Sequence, residues 1–146
     1  ADSKGQALKV IEEFTEMAIA YESYDRKNDV IDGIGDTYVT LIILCKQTGL
    51  NFKELIEITS HQYSTNDFYL TDTTFVYPAR NDLSTGVSKG IKEKIEKSII
   101  DIVAVSNVIA DIMDESPTDC LKVAYNEIKD RKGKMIDGVF VKESDL

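Results

Sequence analysis

The stretch IKEKIEKSIIDIVAVSNVIADIM, residues 91–113, decides the fold class. Ile91, Ile95, Ile99, Ile102, Val105, Ile109 and Ile112 recur at steps of three and four. That is the period at which one face of an α-helix returns to the same side. The spacing predicts a long helix over about 86–114, with Lys92, Glu93, Lys94, Glu96 and Lys97 gathered near its start. Beyond it, Ser116-Pro117 is a helix-start signal, with Ser as cap and Pro at the first position. A last helix over about 117–130 then buries Cys120, Leu121, Ala124, Tyr125 and Ile128. In the tail, Asp137-Gly138 between apolar residues signals a small β-hairpin or an extended arm.

The same period appears upstream. Leu8, Ile11, Phe14, Ala18 and Tyr21 give a helix over about 4–24. Ile31, Ile34, Tyr38, Leu41 and Cys45 give a second over about 29–49, closed by Gly49. Asn51 caps a short third helix to about residue 60. From 61 to 85 the periodicity fails, and this long polar and aromatic segment reads as functional or mobile. The expectation is an all-α bundle of four to five helices, one domain over 1–146, with a small C-terminal hairpin or arm.

With 146 residues, 42% of them hydrophobic, the chain can bury a core of one domain. Its net charge of −9 repels phosphate backbones, so nucleic acid is not an expected partner. A small phosphate-bearing substrate would need metals or a local basic cluster beside it. Cys45 and Cys120 lie in apolar runs without metal-ligand spacing and read as small buried hydrophobes in a reducing compartment. No run is long and apolar enough for a membrane helix, and no signal-peptide pattern opens the chain. The expected location is the cytoplasm.

Two acidic clusters stand on consecutive helices. Glu12 and Glu16 are four apart and Glu13 and Glu16 three apart, so they are neighbours on one helix. Asp29, Asp32 and Asp36 share one face of the next. If the two helices pack antiparallel, the clusters meet, and carboxylates so gathered need protonation or bound cations. Oxygen-only ligands suit Mg²⁺ or Mn²⁺. The competing reading is a solvated acidic face. On the last helix Lys122, Lys129, Arg131, Lys132 and Lys134, with Asn126 beside them, either hold phosphate oxygens or complement the helix C-terminus.

Other chemistries fail on residues. The stretch 25–36 has EF-hand length, but Lys27 and Val30 stand where an acid and a glycine are needed. A single histidine, His61, excludes a zinc site or a pair of Glu-x-x-His motifs. Gly33-x-Gly35 has no preceding strand, and there is no phosphate-binding P-loop.

Glu12-Glu13-Phe14-Thr15-Glu16, then Asp32-Gly33-Ile34-Gly35-Asp36, then Asn126-Glu127-Ile128-Lys129-Asp130-Arg131 resembles the MazG-like all-α nucleoside triphosphate pyrophosphohydrolases. The ending Arg131-Lys132-Gly133-Lys134 with Gly138-Val139-Phe140-Val141-Lys142-Glu143 looks like phage-type members. The resemblance covers about 8–50 and 119–143 and leaves 51–117 as an inserted or variable segment. It implies that Glu13, Glu16, Asp32 and Asp36 hold Mg²⁺ or Mn²⁺, and that Glu12 and Glu13 are the catalytic carboxylates. It assigns substrate phosphate to Lys129, Arg131 and Asn126. The family usually reads Glu-x-x-Asp in the second motif, whereas Gly33 lies three before Asp36 here and Asp32 would substitute.

The implied reaction is hydrolysis at the α-phosphorus to monophosphate and pyrophosphate. The implied assembly is a homodimer or homotetramer, and the isoleucine seam is available as its interface. Phe68, Tyr69 and Phe75 are candidates for stacking on the base. Two other readings remain: a non-catalytic helical oligomerisation or regulatory module that retains a metal site, and a hydrolase of another nucleotide-like pyrophosphate.

Overall fold

The computed structural model describes residues 3–23, 27–62, 76–128, 133–136 and 139–142. Within them the chain forms six helices and a two-stranded ribbon. They are α1 (Ser3–Glu22), α2 (Lys27–Thr48), α3 (Phe52–Gln62), α4 (Tyr77–Lys89), α5 (Lys92–Ile112), α6 (Pro117–Ile128), β1 (Gly133–Ile136) and β2 (Val139–Lys142). The architecture is the expected all-α bundle, with one helix more than the periodicity gave.

The extra helix comes from a division that the seam concealed. α4 ends at Gly90, whose φ of 68° is left-handed, and the Ile91 amide donates to the Gly86 carbonyl at 2.8 Å. Glycine is the residue that takes this conformation without a Cβ penalty. The expected helix over 86–114 is therefore two: its first turn belongs to α4, and α5 starts at Lys92. α4 also takes up residues 77–85 of the segment expected to be irregular. It was illegible because its only buried residues are Ala79, Leu83 and Gly86, a stripe too narrow and small to register as apolar.

The remaining boundaries follow their local signals. Gly49, with φ 73°, closes α2, and the Leu50 amide donates back to the Cys45 carbonyl at 2.9 Å. Asn51 Oδ1 accepts from the Glu54 amide at 3.2 Å, and Ser116 Oγ accepts from the Asp119 amide at 3.0 Å, so both expected caps are in place. The ribbon is antiparallel, with Gly133 opposite Lys142 and Ile136 opposite Val139, as the Asp137-Gly138 signal predicted.

α5 is the centre of the bundle. Ile95, Ile99, Ile102, Val105 and Ile109 are buried against the rest of the same chain. Each such side chain contributes about 2 kcal/mol by leaving water. The seam expected to supply a subunit interface is thus used inside the monomer, leaving Ile112 exposed at its end. Tyr38 of α2 donates its hydroxyl to Asn107 Oδ1 of α5 and sets its ring edge against Phe52 of α3 at 6.2 Å. One polar contact therefore fixes α2 on the central helix.

Candidate metal centre

Glu12, Glu13 and Glu16 come together on α1. One carboxylate oxygen from each lies within 4.8 Å of the others. The helical repeat alone produces this, because residues three and four apart stack on one side. Their environments differ: the Glu13 side chain is 16% exposed and that of Glu12 53%. Phe14 and Met17, fully buried, hold the other side of α1 against the core and leave Glu12 and Glu16 facing outward.

The sequence reading missed the fourth member. Lys9 Nζ lies 3.3 Å from Glu12 Oε1 and 3.3 Å from Glu13 Oε1. The signal was present, since Lys9 is four before Glu13. Partial burial works against the Lys9 charge, but the two carboxylates outweigh it and hold its pKa above the ordinary value. Burial raises the Glu16 pKa, and the charges of Glu13 and Glu12 raise it further while Lys9 pulls it down. The hydroxyl of Thr15, within the same turn, is buried without a hydrogen-bond partner among the described residues.

α2 runs antiparallel to α1. The Gln6 amide nitrogen donates to the Thr40 carbonyl at 3.1 Å, while Gly33 lies against Met17. A Cβ at position 33 would sit 3.1 Å from Met17 Cβ and 3.2 Å from its Cα. A side chain at position 33 would therefore have to push Met17 back by a few tenths of an ångström. Gly35 makes the matching approach to α6: a Cβ there would meet the Cys120 carbonyl oxygen at 2.4 Å and Ala124 Cβ at 2.7 Å. Lys27 pairs with Glu115 at 3.5 Å, so α6 runs alongside α2 in the same direction.

Going round α2 at about 100° per residue, Asp32 and Asp36 fall in the arc between these two glycine contacts. They therefore line the groove between α1 and α6. Both are half-buried, and both stand outside the carboxylate trio. Burial raises the pKa of the Cys120 thiol, with Glu115, Asp119 and Asp32 adding to it, so the Asp32 charge is felt on the α6 side. Asn126 is exposed on α6. Lys129 and Arg131 lie outside the described residues, as do Phe68, Tyr69 and Phe75. The two cysteines are buried free thiols, as expected, and burial pushes Cys45 up to about 11. No helix among the described residues is long and apolar enough to cross a membrane.

Comparison of the chain with protein-family models, with curated proteins and with solved structures returns no match.

Proposed function

We propose that this chain is a metal-dependent nucleoside triphosphate pyrophosphohydrolase of the MazG-like type, cleaving at the α-phosphorus to give monophosphate and pyrophosphate. The observation that carries the reading is the trio Glu12, Glu13 and Glu16, with oxygens within 4.8 Å of one another. Carboxylates this close repel one another, and a cation beside them relieves the repulsion. The Lys9 ammonium between Glu12 and Glu13 is a cation standing in that place. Oxygen-only donors of this kind fit Mg²⁺ or Mn²⁺.

In this reading a bound Mg²⁺ supplies the positive charge that a triphosphate and its departing pyrophosphate require. Glu13 and Glu16 would bind it, with Asp32 and Asp36 adding negative charge from α2 in the groove between α1 and α6. Glu12, exposed at the rim of the trio, takes the proton from the attacking water. Asn126 of α6, with Lys129 and Arg131 that follow it in the sequence, would orient the phosphates. The chain works as a homodimer or homotetramer in the cytoplasm, with Leu8 and Ile19, both exposed on α1, available for the contact.

A second reading, a non-catalytic module that keeps the metal, is favoured by the packing of Gly33 on Met17, which leaves the second motif one carboxylate short. The deciding experiment is pyrophosphate release from each NTP and dNTP with Mg²⁺ or Mn²⁺, beside Glu13→Gln and Glu16→Gln. Release from one nucleotide class, lost in both variants, is expected. Metal-dependent melting without release from any nucleotide would turn the conclusion to the second reading. Product analysis separates a hydrolase of another nucleotide-like pyrophosphate.

A further inference from the structure

Where α2 turns into α3, the surface folds into a concavity of about 530 Å³. Its floor is Ile42, Cys45, Leu50 and Phe52, and Lys46 and Lys53 stand on its rim. The depression is shallow and open to solvent, so a ligand would lie on it rather than be enclosed. The corner is held in shape before any ligand arrives: Leu50 is tied back to Cys45, Asn51 caps α3, and Phe52 rests its ring against Tyr38. Both lysines are exposed, and neither forms an ion pair with a described residue. Lys53 also occupies the first turn of α3, where the helix dipole disfavours a cation, so helix stability does not account for it. Lys46 closes α2, where the helix dipole favours a cation, and Lys53 is the one that helix stability leaves over; both stand beside the apolar floor without an ion pair to a described residue.

We propose that this concavity binds a small amphipathic anion: a ring or short chain that lies on the apolar floor and carries one carboxylate, sulfonate or phosphate group between Lys46 and Lys53. The site shares no residue with the carboxylate trio, and it stands or falls independently of the hydrolase reading.

The test is a titration of the ¹⁵N-labelled protein with 8-anilinonaphthalene-1-sulfonate, followed by amide shifts. It is repeated with N-phenyl-1-naphthylamine, the same ring system without the charge, and on the Lys46→Glu/Lys53→Glu variant. Both lysines are exposed, so the variant keeps its fold, checked by an unchanged circular-dichroism melt. The expected result is shifts confined to about 42–54, with the sulfonate bound roughly tenfold more weakly by the variant and the neutral ring bound equally by both. Shifts centred elsewhere, such as around Leu8 and Ile19, would overturn the proposal. So would equal sulfonate affinity in the two proteins, or no binding to the wild type.

Discussion

At Glu16, burial and the neighbouring charges of Glu13 and Glu12 hold the carboxyl above its usual 4.5. Between that value and the higher native one, the folded chain binds more protons than the unfolded chain. This group's contribution to stability is therefore complete below the unfolded pKa and is lost as pH rises through the native one. Glu16→Gln should raise the metal-free melting temperature at pH 7, and the gain should vanish near pH 4. A gain independent of pH would contradict the assignment. Lys9 gives a second expectation, because its ammonium occupies the place a divalent cation would take. Lys9→Gln should tighten Mn²⁺ binding several-fold by calorimetry while lowering metal-free stability slightly. Unchanged Mn²⁺ affinity would mean that the lysine does not compete. The glutamates were legible because helical spacing alone brings them together. Lys9 was equally legible by spacing but was passed over, since a search for ligands looks past cations. The distance of Asp32 and Asp36 from the trio was not legible, because it depends on the angle at which two helices meet.

That angle belongs to the elements, and the glycines of α2 fix it. Gly33 and Gly35 face different neighbours, so α2 is clasped by α1 on one side and α6 on the other. Gly35→Ala places a methyl against a backbone carbonyl, which cannot yield as a flexible side chain would. The expected cost is about 1–3 kcal/mol, read from urea unfolding. If position 35 accepts alanine without loss, the close approach of α6 is not what the glycine provides. Helix ends were read well where a side chain or glycine marks them, as at Gly49, Asn51 and Ser116. The α4–α5 break was missed because the seam starts at Ile91, immediately after the turn, and Gly90 gave no apolar signal of its own. Pro78, within the first turn of α4, was counted with the irregular segment although that position tolerates it.

For the whole molecule, a net charge of −9 opposes compaction by self-repulsion. Raising NaCl should therefore raise the melting temperature gradually through screening. MgCl₂ at matched ionic strength should raise it further, by mass action on the folded state, and Glu13→Gln should abolish only that excess. Equal effects of the two salts would leave the carboxylate trio as a solvated face. The all-α class was legible from periodicity, because seven apolar positions on one stripe admit no other regular structure. Which helix would sit at the centre was not. α5 is apolar beyond one stripe, and a surplus of apolar surface fits an interface between chains as well as a core within one. Only the packing of α2, α3, α4 and α6 around it decides the matter.

The Tyr38 hydroxyl, enclosed between α2 and α5, also gives the chain an optical gauge of its own integrity. There is no tryptophan among its residues, and seven tyrosines share the near-ultraviolet absorption. Burial raises the Tyr38 pKa, and the nearby Cys120 raises it further, so folding withholds this phenol from hydroxide. Above the ordinary tyrosine value near 10, that withheld proton works against the native state, whose stability falls as pH climbs. In an alkaline titration followed at the phenolate band, the Tyr38 contribution should arrive late and in step with the loss of helical ellipticity. In Tyr38→Phe that late step should be missing from the absorbance while the ellipticity still falls. The colour of the last phenolate would then report the moment at which α2 leaves α5.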